Sequence, residues 1–367
     1  MFLRRRFLAL FLLALAAVPA LAQDTFKGVQ RIVAIGDVHG DYDQFVSLLR
    51  SAELIDNRNR WTGGRAHLVQ TGDVLDRGPA SRKAMDLLMD LEEQARRDGG
   101  AVHALLGNHE AMNIYGDFRY TTKEEYESYR TQRSEALRDQ YFRLVAAQLR
   151  KKGSTTEQIV TLRKTFDDEH PLGWVEHLQA FGPEGVYGQW VRQHQVIIRI
   201  NDVIFLHGGI SPKYAATTIR EFNDRVRAEF ADFKKLENGM ARAPDGPLWY
   251  RGLAMAPESE LAAHVDRVLA AHGAHHMVNG HTQMPAVVLP RFGGKVILID
   301  VGLSRTYEGG TPALLIIEGS KYYALHRGHR LELPVEGGDV LPYLRAAAAF
   351  DPQPSPIQKL IDTMAGQ

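Results

Sequence analysis

Residues 31–40, with the sequence RIVAIGDVHG, decide the fold of this chain. The run from Arg31 to Ile35 is short, rich in β-branched residues and closed by a glycine, which is typical of a buried strand. Two similar runs follow at residues 67–71 and 101–106, and apolar residues at helical spacing fill the segments between them. This β-α-β-α-β order predicts a parallel sheet covered by helices.

The apolar spacing also indicates which faces of the helices are buried and where later elements lie. The two predicted helical faces are Phe45, Leu48, Leu49 and Ala52, and Ala84, Leu87, Leu88, Leu91 and Ala95. Farther along, the predicted elements are a hairpin of residues 196–200 and 203–207 around Asn201-Asp202, a helix at 257–272, and strands at 286–289, 295–300, 313–317 and 322–325.

Glycine-flanked segments rich in Asp, Asn and His follow the predicted strands. They are residues 36–40 (GDVHG), 72–78 (GDVLDRG), 107–110 (GNHE), 207–209 (HGG) and 280–282 (GHT). A single Asp or Asn at such a place is usually a helix cap or a turn residue. The carboxyl ends of parallel strands meet at one edge of a sheet, so five such segments in order indicate one convergent site.

The residue types in these segments suit two divalent metal ions. Carboxylate and amide oxygens and imidazole nitrogens are present, and thiolates are not. Two such ions can clamp a phosphoryl oxygen and generate hydroxide at neutral pH. One carboxylate must bridge the two ions, and Asp73 is the natural candidate.

Composition excludes several other classes of protein. The 367 residues contain no cysteine, which excludes a disulfide scaffold, a thiolate zinc site and cysteine nucleophilic catalysis. The 44 basic and 44 acidic side chains balance, so the charge gives no support to nucleic-acid binding. A hydrophobic fraction of 44% is that of an ordinary globular protein.

On these motifs the chain resembles the calcineurin-like metallophosphoesterase superfamily. The signatures GDxHG, GDxxDRG and GNHE of the phosphoprotein phosphatase family are all present in order, and residues 248–251, LWYR, resemble its bacterial-type branch, the Shewanella-like phosphatases. The resemblance covers residues 31–330. It implies an α/β fold of metallophosphatase type, a two-sheet β-sandwich flanked by helices.

The resemblance also implies roles for individual residues. Asp37, His39 and Asp73 would hold the first metal, and Asp73, Asn108, His207 and His281 the second. His109 would be the general acid, oriented by Asp76, while Arg77 and Arg251 would bind phosphate oxygens. The implied reaction is direct attack on phosphorus by a metal-bound hydroxide. Manganese is the expected metal, and iron or zinc would also suit these ligands.

The implied function is hydrolysis of phosphomonoesters in phosphoproteins, on Ser/Thr or on Tyr. Small phosphoesters such as dinucleoside polyphosphates are the alternative substrate class, and an inactive metal-binding scaffold is the alternative outside enzymes. A scaffold would be expected to lack a ligand or the general acid, and this chain lacks neither. The oligomeric state cannot be derived from the sequence.

Residues 117–192 differ from their surroundings, being polar, weakly helical and without strand signals. They predict a helical insertion within a metallophosphoesterase domain of residues 23–335, followed by a peripheral tail at 336–367.

Several other residues are assigned less specific roles. Tyr115 and Tyr120, at the start of the insertion, could contact substrate or belong to the core of this cap. Residues 300–307 either line the site or form a plain turn. Glu110 is expected to support its loop, and His275 and His276 to be structural.

The N-terminus predicts export. Residues 1–22 combine Arg4, Arg5 and Arg6 with an apolar run of about 12 residues and a small-residue cleavage site. That run is shorter than the roughly 20 residues needed to span a bilayer, so a cleaved signal peptide is favoured over an anchor. The arginines also resemble a twin-arginine signal. The expected location is the bacterial periplasm, with no stable membrane span after cleavage.

Overall fold

The computed structural model of the chain describes residues 23–284, 286–306 and 310–366. The predicted signal peptide, residues 1–22, lies outside these ranges. No helix within them combines the length and the apolar character that crossing a bilayer requires.

Twelve strands and thirteen α-helices are present in the described residues. The strands are β1 (Thr25–Phe26), β2 (Arg31–Ile35), β3 (His67–Gln70), β4 (Ala101–Ala104), β5 (Ile197–Ile200), β6 (Val203–Leu206), β7 (His276–Asn279), β8 (Leu289–Arg291), β9 (Val296–Leu298), β10 (Ala313–Glu318), β11 (Lys321–His326) and β12 (His329–Glu332). The helices are α1 (Tyr42–Ser51), α2 (Ser81–Arg97), α3 (Asn108–Tyr115), α4 (Lys123–Tyr129), α5 (Ser134–Lys151), α6 (Thr156–Glu169), α7 (Trp174–Phe181), α8 (Val186–Val191), α9 (Ile219–Ala231), α10 (Gly252–Met255), α11 (Glu258–His272), α12 (Leu341–Ala348) and α13 (Gln358–Ala365).

The strands form two six-stranded sheets, which confirms the predicted two-sheet architecture. One sheet has the order β1-β5-β6-β7-β9-β8 and the other β12-β11-β10-β2-β3-β4. Strands β2, β3 and β4 are parallel, as are β6, β7 and β9. Each sheet therefore presents the carboxyl ends of three parallel strands at one edge, and those ends position the site.

Burial of apolar side chains explains why the helices lie on the sheets. The predicted faces of α1 and α2 are confirmed, because Phe45, Leu48 and Leu49 of α1 are fully or almost fully buried, as are Leu88 and Leu91 of α2. Asp41 begins α1 by accepting a hydrogen bond from the Gln44 N–H at 3.2 Å.

Two predicted strands differ from the observed ones for a visible reason, and the strand predicted at 295–300 is shorter, at Val296–Leu298. The strand predicted at 101–106 ends at Ala104, because the Leu106 N–H donates to the Gln195 carbonyl and the chain leaves the sheet there. The strand predicted at 286–289 begins only at Leu289, because Ala286 has a φ of 50°, in the left-handed region.

The insertion, residues 117–192, is helical as predicted and contains α4 to α8. Its α5 and α6 form a hairpin with a small core of their own, Phe142, Ala146, Ile159 and Phe166. Near its start, the Phe118 ring packs against His177 of α7, with ring centroids 4.8 Å apart. Through this contact the start of the insertion packs against α7, a later helix of the same insertion.

The segment after residue 335, predicted as a peripheral tail, carries α12 and α13, whose apolar side chains join the main core. Tyr343, Leu344 and Ile361 are buried there. Asp351 fastens the segment by accepting hydrogen bonds from Arg327 Nε at 2.7 Å and Ser355 Oγ at 2.8 Å. The alanine-rich composition of this segment therefore reflects an amphipathic helix packed on the domain.

Candidate functional site

The six residues predicted as metal ligands converge at the common edge of the two sheets. Each follows a parallel strand: Asp37 and His39 follow β2, Asp73 follows β3, Asn108 follows the β4 connection, His207 follows β6 and His281 follows β7. All six side chains are buried, with 5% exposure or less. We call these six residues the ligand cluster.

Asp73 lies at the centre of the ligand cluster. Its Oδ2 is 3.8 Å from His39 Nε2, 3.3 Å from His207 Nε2 and 3.8 Å from His109 Nε2. Potential ligand atoms of Asp73, His207 and His281 lie within 4.8 Å of one another, as do those of Asp73, His39 and His109. A single carboxylate thus faces two groups of donors, which is the geometry that a bridging ligand requires.

Asp37 and Asn108 complete the two groups. Asp37 Oδ2 is 3.8 Å from His39 Nε2, so this carboxylate shares the first group with His39. Asn108 Oδ1 is 3.0 Å from His207 Nε2 and shares the second. The predicted division of the ligands between two ions is therefore compatible with the positions of their side chains.

Backbone carbonyls orient the three histidines of the ligand cluster. His39 Nδ1 is 3.0 Å from the Leu75 carbonyl and His207 Nδ1 is 2.9 Å from the Thr71 carbonyl, while His281 Nε2 is 3.1 Å from the Trp249 carbonyl. The Nε2 atoms of His39 and His207 face Asp73 Oδ2, at 3.8 and 3.3 Å. A carbonyl partner of this kind fixes the tautomer of a metal-binding imidazole.

Glu110 supports the loops, as expected, and does so without entering the ligand cluster. Its carboxylate accepts hydrogen bonds from the N–H groups of Asp73, Val74 and Gly107, at 2.7, 2.9 and 2.9 Å. Gly107 also allows a close approach, because a Cβ there would lie 2.2 Å from Asp73 Oδ1. The GNHE loop thereby packs directly against the loop that carries Asp73.

Backbone strain is concentrated at the site. His39, Asp73, Asp76, Arg77 and His281 all have φ between 45° and 67°, in the left-handed region that few non-glycine residues adopt. Such conformations persist where the surrounding structure holds them, and they cluster at active sites. Five residues that the sequence predicts for the site thus share a backbone conformation that few side chains adopt.

The predicted general acid, His109, is paired with Asp76. His109 Nδ1 is 2.7 Å from Asp76 Oδ2, and both side chains are buried. Burial alone would lower the pKa of His109, but the carboxylates of Asp73 and Asp76 raise it above its usual value. A protonated imidazole is thus favoured, with its Nε2 directed towards Asp73.

Two further residues hold Asp76 and were missed by sequence reasoning. Asn113 Nδ2 donates to Asp76 Oδ2 at 3.1 Å, and Thr121 Oγ1 donates to Asp76 Oδ1 at 2.8 Å. Asn113 lies one turn after His109 in α3, so helical spacing could have revealed it. Thr121 belongs to the insertion, and no motif near it signals this contact.

The two predicted phosphate-binding arginines lie beside the ligand cluster. Arg251 Nη1 donates to the His281 carbonyl at 2.7 Å and to Thr282 Oγ1 at 3.2 Å. The Arg77 guanidinium lies 4.8 Å from the centroid of the Tyr120 ring, which is itself 5.1 Å from the His109 ring. Of the two roles left open for Tyr120, the rim of the site is therefore the observed position, with the ring 40% exposed.

Buried acidic groups accumulate around the ligand cluster. Burial raises the pKa of Asp37 well above its usual value, and neighbouring Asp300 and Asp73 raise it further. Burial also raises the pKa of Asp300 to about 6 and raises that of Glu110. Asp300 thus lies beside Asp37 of the ligand cluster.

Burial shifts the pKa values of two imidazoles of the ligand cluster downwards, opposite to its effect on the carboxyl groups. Burial lowers the pKa of His39 to about 4 and that of His281 to about 2. Burial on its own would raise the pKa of Asp73, but His207 and His109 lower it well below its usual range. Neutral imidazoles and crowded carboxylates are the donors that divalent cations bind, so this donor set fits two such ions.

His275 and His276, in contrast, lie outside the site. His275 Nδ1 is 3.0 Å from Asp202 Oδ2, and His276 Nδ1 is 2.9 Å from the Gly294 carbonyl. Both have local structural partners, as expected.

Comparison with known proteins identifies relatives over most of the chain. Residues 30–285 match the model of the calcineurin-like phosphoesterase family. Shewanella-like protein phosphatase 2 of Arabidopsis thaliana is 31% identical over 300 residues, which are 80% of this chain and 77% of that protein.

Solved structures give the same result. A structure of a cold-active protein tyrosine phosphatase matches with a TM-score of 0.67 and 30% identity, over 86% of this chain and 82% of that one. The cold-active protein-tyrosine phosphatase of a psychrophilic Shewanella species matches with a TM-score of 0.64 and 32% identity, over 85% and 83% of the two chains.

Proposed function

The chain belongs to the calcineurin-like phosphoesterase family, and we propose that within it the protein is an exported phosphatase that removes phosphate from phosphoproteins, preferentially from phosphotyrosine. Its relatives and structural neighbours are phosphatases, and this chain is a metallophosphatase of the same family. The preference for phosphotyrosine is supported by similarity to two structures named as protein tyrosine phosphatases.

One observation carries the proposed reaction. The His109–Asp76 pair lies beside a carboxylate, Asp73, that faces two groups of metal donors. His109 Nε2 lies 3.8 Å from Oδ2 of Asp73, the proposed bridging ligand. It is therefore placed to protonate a leaving group at the same phosphate that the metals would bind. This arrangement suits a phosphate monoester whose alcohol or phenol departs.

The metal ions would be held by the residues named from the sequence. Asp37, His39 and Asp73 would hold one ion, and Asp73, Asn108, His207 and His281 the other. When bound, a pair of divalent ions neutralises phosphoryl oxygens and activates water at neutral pH. We propose manganese as the activating metal, with iron and zinc as the other candidates for this donor set.

The remaining steps belong to the side chains of this protein. Arg77 and Arg251 would bind the outer phosphate oxygens through their guanidinium groups. His109 would donate the proton on Nε2 to the leaving oxygen while its Nδ1–H donates to Asp76. Asp76, held by Asn113 and Thr121, keeps the ring in that orientation.

The test is a substrate panel with controlled metal. Purified protein lacking residues 1–22 would be stripped with chelator, reloaded with manganese, iron or zinc, and assayed on p-nitrophenyl phosphate, matched phosphotyrosine and phosphoserine peptides, and a dinucleoside tetraphosphate. We expect hydrolysis to return with manganese and to favour the phosphotyrosine peptide. Preference for the tetraphosphate would instead support the small-phosphoester alternative, and no hydrolysis of any substrate with metal bound would overturn the proposal.

Export is proposed from residues 1–22 alone. Expression of the full chain in a bacterium, followed by fractionation and N-terminal sequencing, should find a periplasmic product that begins near residue 23. A full-length product in the cytoplasm would contradict this part of the proposal.

A further inference from the structure

An open groove of about 550 Å³ lies beside the ligand cluster, along the start of the insertion. Its lining includes Tyr120, which lies against His109, and Arg251, which bonds the His281 carbonyl, so the groove opens next to the predicted phosphate site. The other lining residues are Met112, Tyr115, Asp117, Arg119, Arg242 and Pro244.

The groove combines aromatic rings with an excess of positive charge. Three of its described lining residues are arginines and one is a carboxylate. That carboxylate, Asp117, is matched by Arg119, whose Nε and Nη2 donate to it at 2.8 and 2.6 Å. Two cationic side chains, Arg242 and Arg251, therefore remain in excess over the acidic group of the groove.

The two remaining arginines lie at different places. Arg251 is at the ligand cluster, bonded to the His281 carbonyl, where it would contact the phosphate. Arg242 is exposed and its guanidinium lies 5.0 Å from the centroid of the Tyr115 ring. Stacking on an aromatic face holds a guanidinium in place and leaves its N–H groups free to bind a carboxylate.

From this juxtaposition we infer that the groove binds the polypeptide around a phosphorylated tyrosine and that Arg242 selects substrates with an acidic residue beside that tyrosine. The inference rests on the proposed function, because it concerns the substrate of the same site. The phenol ring would lie along Tyr120 and Trp249, and a neighbouring Asp or Glu would pair with Arg242. An exposed pair of this kind contributes modestly to affinity but distinguishes acidic from neutral partners.

The experiment uses two phosphotyrosine peptides that differ only in whether glutamate or glutamine flanks the phosphotyrosine. The wild-type protein should show a kcat/KM about threefold to fivefold higher for the glutamate peptide, the range expected for one exposed ion pair. In Arg242→Gln that ratio should fall to about one. In the wild type, the ratio should also decrease as salt is added, because exposed charges are screened.

A matched control is available in Arg225→Gln. Arg225 is likewise an exposed arginine above a tyrosine ring, 5.9 Å from the centroid of Tyr214, but it lies outside the groove. This variant should keep the wild-type ratio. As a readout independent of turnover, the dissociation constants of the same two peptides carrying a non-hydrolysable phosphonate, measured by fluorescence anisotropy, should show the same pattern.

Three results would overturn the inference alone: equal kcat/KM for the two peptides in the wild type, an unchanged ratio in Arg242→Gln, or an equal loss in Arg225→Gln. Hydrolysis of p-nitrophenyl phosphate but of neither peptide would overturn the proposed phosphoprotein function, and with it this inference.

Discussion

Two regions of the molecule meet at His109: the loops at the strand ends and the start of the insertion. They contribute different groups to the site. The strand-end loops supply the ligand cluster, whose three histidines are oriented by backbone carbonyls. Glu110 holds these loops by accepting hydrogen bonds from their backbone N–H groups. The insertion supplies Thr121, which bonds Asp76, and Tyr120, which lies against His109 and Arg77.

The comparison indicates that different segments of the chain determine metal binding and the position of the acid. The strand-end loops would bind metal even if the insertion were altered, because no insertion residue belongs to the ligand cluster. The insertion would set the position of the acid and the shape of the entrance. Variants in the strand-end loops should therefore lose metal and activity together, whereas variants in the insertion should lose activity and keep metal.

The largest effect is expected for Asp73→Asn in the strand-end loops. Loss of the central carboxylate should reduce kcat at least about a thousandfold, more than the 10- to 100-fold typical of partners outside the metal ligands. Metal content measured by mass spectrometry should fall with it. An Asp73→Asn protein that retained both ions would contradict the central position assigned to this residue.

His109→Asn should separate acid catalysis from metal binding. We expect kcat on phosphopeptides to fall by about 10²- to 10³-fold, in the lower part of the roughly 10²- to 10⁴-fold range of general acid catalysis, while metal content stays at the wild-type level. Asp73→Asn is the comparison variant, because it should lose both. Retained activity in His109→Asn would remove it from the role of acid.

Glu125→Gln tests how the insertion is attached. Glu125, in α4, accepts hydrogen bonds from the N–H groups of Ser81 and Arg82 at the start of α2, at 2.9 and 3.1 Å. Burial raises the pKa of Glu125 from 4.5 to about 7. The protonated side chain thus stabilises the fold fully below pH 4.5, and this contribution is lost as the pH rises through 7.

Relative to the wild type, Glu125→Gln should therefore gain about 2 to 3 kcal/mol in the free energy of unfolding between pH 4.5 and pH 8. Denaturant titrations over that range measure the change. Glu221→Gln is the control, because hydrogen bonds from Thr218 lower the pKa of Glu221. The contribution of Glu221 is therefore already present above pH 4.5 and is lost only at lower pH, so this variant should change little relative to the wild type between pH 4.5 and pH 8. The same trend in both variants would refute the assignment.

The smallest effect is expected for Thr121→Val. Asp76 would keep its bonds to His109 and Asn113, so kcat should fall only about fivefold, with KM and metal content unchanged. Thr161→Val is the matched control within the insertion, because the Thr161 hydroxyl donates to the Glu157 carbonyl inside α6. If the two valine variants behaved alike, Thr121 would have no special role in positioning the acid.

The part of the site that could be predicted from sequence is the part built at strand ends. Asp37, Asp73 and Asn108 each follow an apolar run and a glycine, and the geometry of parallel strands brings such positions together. Thr121 and Arg242 follow no such rule. Thr121 bonds Asp76 from the insertion, and Arg242 stacks on Tyr115 from a segment more than 120 residues farther along the chain. Local sequence patterns do not encode contacts of this kind.

The fold also has parts that could be predicted from sequence and parts that could not. The α1 and α2 faces were predictable because their apolar residues recur at a clear helical period. Tyr343 and Leu344 belong to the core as well, but their neighbours are alanines and prolines, whose small or rigid side chains obscure the period.

The left-handed backbone at His39, Asp73, Asp76, Arg77 and His281 has a consequence for engineering. Each of these residues holds its φ at a cost of about 1 kcal/mol or more, and glycine would adopt the same conformation without that cost. A thermostability screen that never measures turnover should therefore favour glycine at these positions. Its most stable variants would lack a proposed metal ligand, a proposed phosphate-binding side chain or Asp76, the partner of His109. Heat resistance and catalysis would then be selected against one another at the same five positions.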